Sequence, residues 1–172
     1  MSSTIINKVA QSGILTLNLE TFLPKEDIVA FDIKPYLFKE LLLKEKDFRA
    51  AMKLHDWAQY EGKAVAVFCS SDAIVPAWAY MLIGSSLSKF TSNYLFGSIA
   101  ELKSVLFLNN IKELDLKKYE NQRVVIKGCG DVEIPTLAYV EATRLLRPIA
   151  KSIMYGEPCS TVPVYKQPLK RN

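Results

Sequence analysis

The sequence predicts an α/β protein: a three-layer, mostly parallel sheet of about four to five strands with helices on both faces, plus a small N-terminal β-containing extension. Two observations point there. From Leu41 onward, short apolar runs alternate with stretches whose apolar residues recur at helical spacing, the pattern of parallel strands joined by crossover helices. In addition, residues 56–81 align without a gap on residues 115–140, and eight positions are identical. Both segments read turn, strand, loop and helix in one register, as two βα units would.

Taken in order, residues 1–40 form the extension. "IINKVAQ" suits a short helix, while "ILTLNLETF" and "IVAFDI" alternate like strands of a hairpin or meander. "LLLKE" reads as a strand. Asp47 then caps a helix with Phe48, Ala51, Met52 and Trp57 on its apolar side. "AVAVFC" is a buried strand, and "VPAWAYMLIGSSLSKF" is a helix with Pro76 in its first turn. Strand "NYLFGS" and helix "IAELKSVLFLNNIKEL" follow, then strand "RVVIKG", helix "PTLAYVEATRLLRPIAK" and a last strand "SIMYG".

A chain of 172 residues with 49% hydrophobic and 23% charged residues fits a single domain, 1–172, with a real core. Residues 166–172, in "KQPLKRN", read as a solvated flexible tail. The net charge of +4 is too thinly spread for a nucleic-acid footprint. The N-terminus lacks the pattern of a secretory signal, and the most apolar stretch, "AIVPAWAYMLIG", is too short to span a bilayer. A cytoplasmic protein is expected. In that reducing setting three cysteines do not make a disulfide framework, which leaves Cys69, Cys129 and Cys159 as free thiols, ligands or catalysts.

Ligands of open parallel sheets bind at the carboxyl ends of the strands. The loops expected there are "CSSDAIVP", "GCGDVEIP" and "GEPCSTVP", and each holds one of the three cysteines. Thiolates converging on that edge, with Asp72 or Asp131 as orienter or fourth ligand, suit zinc or an iron–sulfur cluster. No close Cys spacing of a metal motif is present, however, and a free cysteine is often a small buried hydrophobe. A single nucleophilic thiol, with Cys129 and Cys159 the more reactive candidates, is the enzymatic alternative. An interaction module with structural cysteines is a third.

Gly128 and Gly130 flank Cys129 and let the backbone turn sharply and approach a ligand closely. Asp72 and Asp131 hold matching places in the two loops, as helix caps, Asx turns or site residues. Tyr80 and Tyr139, also repeated, read as core contacts. His55, the only histidine, lies in "KLHDWAQY" away from that edge and reads as a packing residue. "GCG" does not extend to G-x-G-x-x-G, no phosphate loop occurs, and the S-x-x-K of "SSLSK" lacks companion motifs.

The segments "NKVAQSG", "EKDFR", "HDWAQYEGKAVAVFCSSDAIVPAWAYML", "RVVIKGCGD" and "KSIMYGEPCSTVPVYK" closely resemble the DUF2480 family of Bacteroidetes proteins, across nearly the whole chain. Genes of that family tend to lie beside iron–sulfur assembly genes. The resemblance therefore implies metal or sulfur handling, with iron–sulfur assembly proteins as partners.

Overall fold

The computed structural model describes residues 13–128, 130 and 132–168. The short helix expected over "IINKVAQ", Cys129, Asp131 and the tail residues 169–172 lie outside them. The strands are β1 (Ile14–Asn18), β2 (Ile28–Asp32), β3 (Ala64–Phe68), β4 (Tyr94–Phe96), β5 (Arg123–Lys127), β6 (Ser152–Glu157) and β7 (Ser160–Lys166). The helices are α1 (Glu45–Leu54), α2 (Ala77–Leu87), α3 (Ile99–Lys112) and α4 (Thr136–Leu146). The mostly parallel α/β character is as expected. The strands, however, divide between two sheets, β1-β5-β6-β7 and β2-β3-β4, rather than one sheet of four or five.

The chain forms two compact units whose boundary falls within α3. The inserted unit is Pro24–Leu106. Its sheet is wholly parallel, β2 and β4 flanking β3. Val65 and Val67 pack with Phe48 and Met52 of α1 and with Ala79, Ile83 and Leu87 of α2. Ala64 and Ala66 meet Leu102 and Leu106 of α3. β3 is thus buried on both faces, which is why it reads as a continuous apolar run and not an alternating one.

The discontinuous unit joins the described residues up to Leu23 with those from Phe107 onward. β1, β5 and β6 run parallel, and β7 returns antiparallel along β6. Leu17, Val124, Ile126 and Ile153 pack against Ala138, Ala142 and Leu146 of α4 and against Phe107 and Ile111 of α3.

The two units repeat one substructure. A shift of 59 residues carries α2 onto α4, and it carries the Val65–Tyr94 pairing of β3 and β4 onto the Val124–Ile153 pairing of β5 and β6. The first strands repeat too: β2 sets Val29 beside Val65, and β1 sets Leu15 beside Val124. The identities between the copies have physical reasons. Asp56 and Asp115 each accept a hydrogen bond from the amide two residues on, closing the turn before the central strand. Tyr60, Tyr119, Val65, Val124, Ala79 and Ala138 are buried, and Pro76 and Pro135 are the N-caps of α2 and α4.

Several sequence expectations change. β1 and β2 do not pair with each other; each is an edge strand of a different sheet. "LLLKE" forms no strand: an isolated bridge joins Phe38 to Leu42, and Leu41 and Leu42 stay exposed because no neighbouring strand receives them. Lys44, not Asp47, is the N-cap of α1, and Asp47 stands in its acidic first turn. "STVPVYK" adds β7, a strand that the sequence reading did not contain, and Lys166, expected at the start of the tail, closes it. No described helix is long and apolar enough to cross a membrane.

His55 is a packing residue, as expected. Its ring lies 4.7 Å from that of Trp57 and 5.2 Å from that of Phe31. Tyr36 Oη is 3.0 Å from Nδ1 and Tyr60 Oη is 3.2 Å from Nε2. Burial pushes the imidazole pKa below its ordinary value, and the charge of Asp56 opposes this only in part. The neutral ring suits both hydroxyls, donating from one nitrogen and accepting at the other. A depressed folded pKa means that the unfolded chain takes up the proton first. Stability is therefore full above about pH 6.5 and is lost as pH falls below it. Urea unfolding between pH 7.5 and 5 will show this loss in the native chain and a flatter profile in His55→Phe; equal slopes would remove His55 as the cause.

Candidate functional site

In each unit the carboxyl ends of three parallel strands form one edge, and the loops that leave it carry the polar groups. In the inserted unit β2 ends at Asp32 and β3 at Phe68. Asp32 Oδ1 accepts from the amides of Lys34 and Ser70 at 3.0 Å each, and Oδ2 accepts from the Ser70 hydroxyl at 2.5 Å. Burial raises the Asp32 pKa, but the Ser70 hydroxyl, the two amides and the Lys34 charge outweigh it and hold the carboxyl below its ordinary value. This clamp ties β2 to the loop that carries Cys69.

Cys69 is half-buried, with Sγ 3.3 Å from Ser71 Oγ. Tyr80, in the first turn of α2, has its pKa raised by burial and then by the neighbouring Cys69. Its ring packs on Phe96 at the end of β4, with centroids 4.1 Å apart. Asp72 is exposed, and the N-cap of α2 is Pro76, so the capping role considered for Asp72 is not the one found.

The edge of the discontinuous unit repeats this frame with different chemistry. Asn18 stands where Asp32 stands, and its Oδ1 accepts from the Glu20 amide at 3.1 Å. Tyr139 packs on Tyr155 at 5.6 Å, as Tyr80 packs on Phe96, and its hydroxyl donates to the Gly128 carbonyl at 3.0 Å. Tyr139 thus braces the loop that follows β5, a more specific role than the core contact expected, whereas Tyr80 packs on the end of β4 beside Cys69. A side chain at Gly128 would collide with the Tyr139 hydroxyl, and one at Gly130 with the Glu20 carboxylate. At Gly128 the requirement is space for a neighbour, not the left-handed backbone of a sharp turn.

Glu20 is the residue that sequence reasoning missed. Its carboxylate lies against Gly130, and Oε1 is sealed from solvent without a hydrogen-bond partner among the described residues. Nothing in "NLETF" marks it, because its partner segment lies more than a hundred residues away. Nearby, Lys127 and Glu157 form an ion pair of 3.0 Å between β5 and β6. Cys159 is exposed in the two-residue turn Pro158–Cys159 that joins β6 to β7. Gly156, in β6 two residues before that turn, has φ +118°, and the Ser160 carbonyl oxygen lies 2.6 Å from where a Cβ would stand, so only glycine fits.

The three cysteines therefore fall in two groups. Cys69 belongs to the inserted unit, whereas Cys159, and Cys129 between Gly128 and Gly130 in the chain, belong to the discontinuous one. Cys129 and Asp131 lie outside the described residues, and among those described no group of three or more His, Cys, Asp or Glu side chains is arranged to hold a metal.

No curated protein and no solved structure matches the chain. A family model does, over residues 3–167 of the 172. By that match the chain belongs to DUF2480, a family described as a protein of unknown function.

Proposed function

We propose that the carboxyl edge of the discontinuous unit is a thiolate site for a metal ion or an iron–sulfur cluster in a cytoplasmic protein. Cys129 and Cys159 are its sulfur ligands and Glu20 its carboxylate ligand, with Asp131 in the same loop as orienter. The observation that carries this reading is the sealed Glu20 oxygen beside Gly130, which has no hydrogen-bond partner among the described residues. A sealed carboxylate oxygen with no donor costs about 1–3 kcal/mol or more. Coordination to a cation removes that cost. β5 and β6 are hydrogen-bonded neighbours, and the loops that follow them carry Cys129 and Cys159. Two thiolates, one carboxylate and an open position form a tetrahedral donor set that suits zinc. The same thiolates suit a cluster passed to or from iron–sulfur assembly proteins.

Cys69 and Asp72 stand on the edge of the inserted unit and are assigned no ligand role here. A cysteine enzyme finds little support among the described residues. The chain's one histidine directs its two nitrogens to Tyr36 and Tyr60, and the partner of Cys69 Sγ is the Ser71 hydroxyl.

Purification without oxygen, followed by elemental analysis and absorption spectroscopy, tests the proposal. Bound zinc or iron is expected in the native chain and in Cys69→Ser, is lost in Cys129→Ser and in Cys159→Ser, and is held about tenfold or more weakly in Glu20→Gln. A native chain that takes up neither metal, even when each is supplied, contradicts it.

The contact between Gly130 and Glu20 has its own consequence. Gly130→Ala is expected to destabilise the chain by about 1–3 kcal/mol through overpacking, and Glu20→Ala in the same chain to return most of that loss. Urea unfolding of the two single variants and the double variant reads the coupling. Additive effects would mean that the two residues do not touch.

A further inference from the structure

The far end of the same sheet holds a second feature, which the thiolate site does not use. Val124 and Ile153 point into the core beneath α4, so their neighbours Arg123, Ser152 and Met154 point to the opposite face. Register places Lys166 of β7 beside Ser152 and Ser152 beside Arg123, so one row crosses three strands with a cation at each end. Pro163 pairs with Met154 one step further along. These residues, together with Lys151, line a cavity of about 570 Å³ at the amino ends of β5 and β6. Three of the lining residues are cationic and none is acidic.

We propose that this cavity binds a small amphipathic anion. A carboxylate, sulfonate or phosphate head would lie against Lys151 and Lys166, and an apolar body on Met154 and Pro163. The volume falls within the range of about 300–1,000 Å³ usual for small-molecule sites, and an apolar floor with a few convergent polar groups is their usual composition. Lys151 immediately precedes β6 and Lys166 closes the neighbouring β7, and both line the cavity, so a head group bound there would have an ammonium from each side. A second cationic cavity, of about 450 Å³, lies in the inserted unit with Arg49, Lys53 and Lys89 in its lining. There Arg49 is already paired with Glu45 at 2.8 Å.

The test uses two probes with one ring system, anilinonaphthalene sulfonate and the uncharged N-phenylnaphthylamine, titrated by fluorescence into the full-length folded chain. Saturable binding of the sulfonate is expected. Lys151→Glu with Lys166→Glu is expected to weaken it about tenfold or more while leaving the neutral probe unchanged, since only the sulfonate makes charge-assisted contacts with the two ammoniums. Met154→Trp, which fills the floor, weakens both probes. Circular dichroism confirms that each variant is folded. No sulfonate binding, equal losses for both probes, or a loss that instead follows Lys53→Glu with Lys89→Glu would overturn the proposal. So would lysine-dependent sedimentation with phosphatidylglycerol vesicles, which would assign the cations to a lipid surface.

Discussion

Ala64, Val65, Ala66 and Val67 of β3 and Val124, Val125 and Ile126 of β5 are all buried, and each of these strands has a parallel partner on both sides. A strand in that position can satisfy its backbone only through its neighbours, and its chain can reach the next parallel strand only by a crossover. β3 carries no polar side chain, and those of β5, Arg123 and Lys127, stand at its two ends. The carboxyl ends receive the loops that turn toward α2 and α4, and these loops hold Cys69, Ser70, Gly128 and Gly130. The Asp32–Ser70 clamp fixes the first loop to β2, and the Tyr139–Gly128 hydrogen bond fixes the second to α4.

The repeat shows which parts of that arrangement are scaffold. Fully buried alanines recur at 79 and 138, where α2 and α4 close on their sheets, and the turn aspartates recur at 56 and 115. The chemistry does not recur. Asp32 is matched by Asn18 in strand register, and Cys69 by Gly128 and Ser70 by Cys129 in the sequence alignment. One unit thus uses its carboxylate to hold a serine, while in the other the Glu20 oxygen has no donor among the described residues.

Local patterning made the central strands and the helices legible, since apolar runs and helical spacing need only nearby residues. The partition into two sheets was not legible. "ILTLN" announces a strand, yet its partner is residues 123–127, and periodicity carries no information about pairing at such separation. β7 was hidden for another reason: Pro163 and the Pro158–Cys159 turn read as loop chemistry, whereas an edge strand tolerates a proline. At the site, the sequence singled out the GCG loop as a place of close approach but could not name what approaches it, since both neighbours lie outside the loop. The space at Gly128 serves Tyr139, and that at Gly130 serves Glu20.

The account turns on whether the Glu20 carboxylate and the thiols of residues 129 and 159 share one metal. X-ray absorption at the metal edge of the zinc-loaded chain reads the inner shell directly. It should show a mixed shell, with about two sulfurs near 2.3 Å and oxygen near 2.0–2.2 Å, and the oxygen contribution should fall in Glu20→Ala. A shell without sulfur, or one unchanged when Glu20 is removed, would contradict it.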